Sequence, residues 1–431
     1  MTSQLNTTRG TALYVGAILG PGLLLMPGLA AAEAGPASIL AWVALLALSG
    51  LFATVFAALG RLMPSAGGVM GYVTAAAGRR AGLVTGWSFL AGVVVGAPVV
   101  CLIGASYVVT TTTARAVVAA GLLAAVLALA ARGLRASVAA QLFLIGLLVV
   151  VVIVAVGGSA RGAALSHWMP FAPHGWLAVG HAAVTLMLSF AGWEAVAPLT
   201  TRFADPARQL PRVVAIALAV TTAIYLSLAV TTIAVLGPAA ATDVPLAELL
   251  TRAVGSAGPA VAGVAALLLT LGATNAYING AVQMVGELRH GAGRPATFLW
   301  VIGGTGIAGL ALYGLRIVTI AEMVELPTAL FLAVYLGAMI AAARLLHGPV
   351  RIAAVPAALA VAAMLSFCGW AIALPAAVAL AVLAALAASP GLRSSLAAQP
   401  GPRPQPGPRL QPGSRPQPGS SPLLELASCG R

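Results

Sequence analysis

The stretch Gly16-Ala17-Ile18-Leu19-Gly20-Pro21-Gly22-Leu23-Leu24-Leu25-Met26-Pro27 is an apolar run broken at its centre by a Gly-Pro-Gly triplet. It lies within residues 11–33, a hydrophobic segment as long as a membrane span. Pro21 removes a backbone donor and clashes with the preceding turn, while Gly20 and Gly22 lower the cost of leaving helical geometry. Unwound backbone at bilayer depth costs several kcal/mol per unsatisfied group unless it lines a cavity or meets a ligand. A triplet of this kind is more than a simple proline kink requires.

The rest of the chain sets the solvent as lipid. Of its 431 residues, 61% are hydrophobic and only 7% are charged, and the mean hydropathy is +1.03. An ordinary soluble domain is about 45–50% apolar and about 25% charged. Continuous apolar runs such as Gly121–Ala131 and Leu142–Val156 exclude the alternation that a transmembrane barrel needs. The sequence predicts an all-α integral membrane protein with twelve spans at 11–33, 37–60, 81–108, 114–131, 137–157, 177–201, 212–236, 258–287, 296–315, 317–345, 351–369 and 371–389. The first apolar stretch runs past Glu33 with no clear cleavage site, so it reads as a retained helix rather than a signal peptide.

The net charge of +13 comes entirely from arginine. These residues punctuate the spans instead of lining a face, which argues against a nucleic-acid partner. One set of connectors and flanks holds Arg9, Arg61, Arg79, Arg80, Arg132, Arg135, Arg202, Arg208, Arg212, Arg289, Arg294, Arg344 and Arg351, and the other only Arg115, Arg161, Arg252 and Arg316. The bias predicts a multi-pass plasma (inner) membrane protein with both termini cytoplasmic. Residues 1–10 form the short N-terminus. Residues 390–431, with a Gln-Pro-Gly hexad repeat, read as a disordered cytoplasmic tail of polyproline II character. Cys101, Cys368 and Cys429 lie too far apart for metal spacing.

Two connectors carry more pattern than a tether needs. Residues 61–80 suggest a turn or short re-entrant piece. In residues 202–212, Pro206 and Pro211 limit helix. A second break falls in the sixth span, at Ser189-Phe190-Ala191-Gly192-Trp193-Glu194. Glu194 has no Arg within helical reach, and an acid at such depth costs about 2.5 kcal/mol or more, so it is a candidate for coupling to protons. The two breaks lie about 170 residues apart and open two blocks of five spans, residues 11–157 and 177–345. Five is odd, so the second block enters the membrane inverted, and residues 351–389 add two further helices. Paired broken helices in inverted repeats mark the substrate site of many secondary transporters. Amides after the first break suit a carboxylate, and carbonyls freed at both suit an ammonium. Together they predict a receptor for a free amino acid.

At these residues the chain resembles the amino acid/polyamine/organocation (APC) transporter superfamily over about residues 9–389. Gly20-Pro21-Gly22 stands where that superfamily breaks its first helix. Pro64-Ser65-Ala66-Gly67-Gly68 looks like its cytoplasmic loop signature, and Phe190-Ala191-Gly192-Trp193-Glu194-Ala195 looks like its sixth-helix motif. Asp205-Pro206 with Leu210-Pro211-Arg212 looks like the loop that follows. Within the superfamily the pattern is most similar to bacterial exporters of L-methionine and branched-chain amino acids. The resemblance implies a LeuT-like five-plus-five inverted-repeat core with two extra C-terminal helices, and export driven by proton antiport. Pro21 departs from the small or hydroxyl residue usual at its position. The same motifs fit a proton-coupled importer or exchanger.

The expected substrate site comprises Gly20, Pro21, Gly22, Leu23, Met26, Phe190, Ala191, Gly192 and Trp193, with Glu194 as the coupling acid. Its apolar side chains and single acid point to neutral hydrophobic ligands: methionine, leucine, isoleucine and valine. Asn275 and Asn279 share a helical face and suit either interhelical bonding or a polar or ion site; Tyr277 lies off that face. Glu322 and Glu325 read as solvated interfacial acids. No metal or cofactor is expected. The five His and nine acids are scattered rather than clustered as an enzyme would need, and there is no Walker A motif for ATP-driven pumping.

Overall fold

The computed structural model describes residues 6–63, 68–134, 138–196, 203, 205–288 and 295–388. Pro64–Gly67 of the loop signature, Arg135, Arg202, Arg289, Arg294, Cys429 and the hexad-repeat tail lie outside them. Among the described residues the secondary structure is helical, with no β-ladder strand pairing. Among the described residues, ten helical stretches are long and apolar enough to cross a bilayer. Continuous helix is the expected answer to lipid, because it satisfies the backbone within a single segment.

The interrupted first segment consists of α1 (Thr7–Ile18) and α2 (Gly22–Ala34). Twelve residues make α1 about 18 Å long, well short of a hydrocarbon core of about 30 Å. Then come α3 (Ser38–Leu62), α4 (Gly68–Ala77), α5 (Arg79–Ser106), α6 (Thr112–Ala131) and α7 (Val138–Ser159). The second interruption separates α8 (Leu177–Met187), with its 3₁₀ turn Leu188–Phe190, from α9 (Trp193–Val196). The chain continues through α10 (Pro206–Thr231), α11 (Pro245–Val254), α12 (Gly258–Leu288), α13 (Pro295–Gly314), α14 (Ile320–Leu345), α15 (Pro349–Ser366) and α16 (Ala373–Ala388).

Several helices begin where the sequence places a cap. The Asn6 side chain accepts from the Arg9 amide at 2.9 Å. Asp205 accepts from the Arg208 amide at 3.2 Å. At the start of α14, Thr319 and Glu322 form a capping box: the Thr319 amide donates to Glu322 Oε2 at 2.7 Å, and the Glu322 amide donates to Thr319 Oγ1 at 3.3 Å. Glu322 thus acts as a helix cap.

The connectors hold more helix than the sequence reading gave them. Pro211 does not limit helix: α10 starts at Pro206, whose missing N–H is an orphan at a first helical position anyway, and runs through Pro211. The connector after residue 61 contains α4, a ten-residue helix packed on α5 and α14. The segment between the seventh and eighth predicted spans holds α11, which buries Leu246, Leu249 and Leu250 against α7, α12 and α2.

The core centres on α5 and α14, which pack on each other and are the most buried of the long helices. Cys101 on α5 and Cys368 beyond α15 are buried free thiols. Against the core, α2 packs on α8 and α11, while α1 packs on α10 and α7. At Gly28, α2 passes so close to the connector after α10 that a Cβ would collide with the Thr242 carbonyl. Gly28→Ala is expected to cost about 1–3 kcal/mol by overpacking, read as a lower thermal midpoint in detergent. Gly146→Ala on α7, where a Cβ meets open space, is the matched control and should not lower it.

Candidate functional site

The first break is a tight turn. The Leu19 amide donates to the Val15 carbonyl at 2.7 Å, and the Gly20 amide donates to that of Ile18 at 2.8 Å. Pro21 has no donor. Beyond it, the Leu23 amide donates to the Gly20 carbonyl at 3.2 Å and the Leu24 amide to that of Pro21 at 3.0 Å. The Gly22 amide has no hydrogen-bond partner among the described residues. Pro21, the residue before α2, provides no side-chain cap, so the positive end of the α2 dipole is left uncovered.

The second break opens after the 3₁₀ turn. Ala191 is extended and Gly192 has a φ of 155°, a region that favours glycine. Three tyrosines from three helices take up the freed backbone groups. Tyr225 of α10 places its Oη 2.9 Å from the Ile18 carbonyl and 2.8 Å from that of Ser189. It therefore joins the two breaks, with one proton shared between two acceptors. Tyr277 of α12 donates to the Ala191 carbonyl at 3.1 Å.

Tyr335 of α14 accepts from the amides of Gly192 at 3.1 Å and Trp193 at 3.2 Å. Its own proton faces Glu194 Oε2 at 2.5 Å, much nearer than the Phe190 carbonyl at 3.3 Å. The same Glu194 oxygen accepts from the Gly192 amide at 2.9 Å. Glu194 is buried, its Oε1 has no partner, and the groups that hold Oε2 are neutral.

Between the breaks lies a cavity of about 60 Å³. Its lining is Ile18, Gly20, Pro21 and Gly22 from the first break and Leu188, Ser189 and Ala191 from the second. Gly92, Val93, Gly96, Ala97, Val100 and Ile103 of α5 form one wall; Ala273, Thr274 and Tyr277 of α12 and Phe331 of α14 complete it. No lining residue is charged. The cavity can hold about four waters, and it combines backbone polarity with an apolar wall.

Of the expected site, Gly20, Pro21, Gly22 and Ala191 line this cavity. Leu23, Met26, Phe190 and Trp193 do not: each is fully buried in the core beside it. Phe190 packs on Trp42 and Tyr225 with ring centroids 6.0 and 5.2 Å away. Trp193 donates its indole N–H to Ser49 Oγ at 2.8 Å. Gly192 and Glu194 stand behind the lining. Asn275 donates to the Leu134 carbonyl beyond α6 at 3.3 Å, and Asn279 donates back to the Asn275 carbonyl at 2.8 Å. Neither asparagine lines the cavity.

The reading by sequence missed the α5 wall, Phe331, Tyr225 and Tyr335, and placed Tyr277 only as lying off the face of Asn275 and Asn279. The Gly92-x-x-x-Gly96 spacing was a legible sign of close approach, and a tyrosine hydroxyl at bilayer depth needs a partner. It also passed over Glu33, whose Oε1 accepts from Thr185 Oγ1 at 2.6 Å and ties α2 to α8.

Residues 5–288 match the amino acid permease family. The chain is similar to an amino acid permease of Bacillus subtilis strain 168, YecA, at 32% identity over 85% of this chain and 92% of the relative. It is also similar to YjeH of Escherichia coli K12, named as an L-methionine/branched-chain amino acid exporter, at 29% identity over 86% and 93%. A third relative, the branched-chain amino acid permease BcaP of Bacillus subtilis, is 27% identical over 50% of this chain and 51% of the relative. The chain belongs to the amino acid permease family of the APC superfamily and is a multi-pass membrane protein.

Tyr335→Phe would leave the Trp193 amide buried without its acceptor, at a cost of about 1–3 kcal/mol. The expected result is a thermal midpoint below that of the unsubstituted protein, measured on the two purified proteins side by side.

Proposed function

We propose that this chain is a secondary transporter that moves methionine, leucine, isoleucine or valine by alternating access. The observation that carries this reading is the meeting of two helix breaks at one uncharged cavity. The open N-terminus of α2 suits the ligand carboxylate. The Ser189 carbonyl shares the Tyr225 proton with Ile18 and accepts no other bond among the described residues, so it keeps capacity for the ligand ammonium. Val93, Ala97, Val100 and Phe331 offer apolar surface to the side chain. A cationic or acidic side chain would meet no counter-charge there, and leaving it unpaired is costly.

Counting α1 with α2 and α8 with α9 as interrupted spans, beside α3, α5, α6, α7, α10 and α12 to α16, gives twelve crossings. This supports the five-plus-five inverted repeat over 11–157 and 177–345, with 351–389 outside it. The arginine bias supports cytoplasmic termini in a bacterial-type inner membrane. Export by proton antiport is the direction we favour, because the exporter of Escherichia coli aligns over nearly the whole chain. Import is the second reading, favoured by the shorter match to a branched-chain amino acid permease. Glu194 is the proposed coupling group: it is a buried carboxyl with neutral partners and one open oxygen.

Proteoliposome counterflow tests the substrate class. Methionine and leucine are expected to exchange, and arginine and glutamate are not; exchange of arginine at the same rate would overturn the reading. Imposed pH gradients test coupling. Glu194→Gln keeps an oxygen to accept from the Gly192 amide but loses the titrating carboxyl. It should retain counterflow and lose the response to the gradient. An unchanged response would remove Glu194 from the coupling step.

A further inference from the structure

The polar end of the cavity contains a hydroxyl without a well-formed hydrogen bond. Ser189 is 2% exposed and lines the cavity, and its Oγ, a neighbour of the Tyr225 hydroxyl, makes no hydrogen bond of ordinary geometry with the described residues. Its carbonyl accepts from Tyr225, so the hydroxyl is the group of this residue left without a well-formed bond. A buried, unpaired hydroxyl costs about 1–3 kcal/mol, so leaving it bare in every state of the protein would be a standing loss.

The neighbour of this hydroxyl is the uncapped start of α2. A Cβ built on Gly22 would stand 2.5 Å from Ser189 Oγ and 3.2 Å from Ser189 Cα. The serine thus takes the space that a side chain at position 22 would fill, beside the amide that has no partner. α2 is thirteen residues long and lacks a side-chain cap, so its dipole end is open to the cavity through Gly20, Pro21 and Gly22. Two donors, one from each helix break, are thus brought by neighbouring residues to the positive end of a helix.

We infer that Ser189 is a ligand-binding residue: its hydroxyl and the Gly22 amide together grip the carboxylate of the transported amino acid. This rests on the transporter reading above and deepens it. Pro21 carries neither an N–H nor a side-chain donor, so the first break cannot complete a two-donor carboxylate site by itself, and the second break supplies the missing donor across the gap. Carboxylate recognition then requires the two broken segments to be side by side. A movement that parts α2 from the Leu188–Phe190 turn would dismantle the carboxylate site and release the ligand.

The test is equilibrium binding to the purified full-length protein in lipid nanodiscs, using leucine and leucinamide as probes. The amide keeps the side chain and ammonium but lacks the carboxylate charge, and hydrogen bonds to charged groups are about twice as strong as neutral ones. Ser189→Ala is expected to weaken leucine about tenfold or more and leucinamide less than threefold. Ser189→Cys, with a near-isosteric but weak donor, should fall between wild type and alanine for leucine. It also serves if the alanine variant fails to fold. Equal losses for both probes in these variants would mean that Ser189 only shapes the cavity, and unaltered leucine binding would exclude it from the site; either result overturns the inference alone. A wild-type protein that binds neither methionine nor leucine overturns the transporter reading and this inference with it.

Discussion

The structure depends on how backbone polar groups are satisfied where two helices stop at the depth of the membrane. Each stop frees carbonyls on one side and amides on the other, and lipid offers them nothing. Three tyrosine hydroxyls, from α10, α12 and α14, fill most of that deficit. Tyr225 is the pivotal one, since its oxygen reaches a carbonyl of each break and holds the two interruptions at one level. Its ring is itself packed between Trp42 and Phe190, so the hydroxyl position is set by the apolar core.

The satisfaction is incomplete, and the incompleteness is local. Among the described residues around the cavity, the Gly22 amide, Ser189 Oγ and Thr274 Oγ1 lack a hydrogen bond of ordinary geometry. Elsewhere the breaks are closed by short bonds to neutral partners. The zwitterion with an apolar tail proposed as ligand would supply partners to these groups. The small residues of α5 decide how much tail fits. Cβ atoms at Gly92 and Gly96 would stand 3.3 Å from Phe331 and 3.4 Å from Pro327, respectively, so that wall is already at contact distance with α14.

Glu194 combines structure and proposed coupling in one side chain. One carboxylate oxygen holds the Gly192 amide and the Tyr335 hydroxyl, and the other is open. Tyr335 in turn accepts the two amides that begin α9, and its ring is wedged edge-on between Phe52 and Phe56 of α3. A change in charge at Glu194 would thus be felt at the start of α9 and, through Tyr335, at α3 and α14. That linkage is short and direct, which is what a coupling group needs.

The amino-acid sequence by itself determined the solvent, the helical class and the positions of both interruptions. Apolar runs in lipid have one economical conformation, and glycine flanking proline at mid-span breaks it wherever the chain goes afterwards. Gly20-Pro21-Gly22 and Ala191-Gly192 are breaks for local reasons, so they were legible. Which side chains face the cavity was not. Leu23, Met26, Phe190 and Trp193 sit beside the breaks in the chain, yet they pack into the core. The apolar wall comes instead from α5 and Phe331. That choice belongs to tertiary structure, because an apolar residue in a lipid-dissolved chain carries the same local signal whether it faces lipid, core or cavity. Only the packing of α5 against α12 and α14 separates the three. The use of Tyr225, Tyr277 and Tyr335 was decided the same way: each hydroxyl required a partner, and only the assembled bundle brought the broken backbone to it.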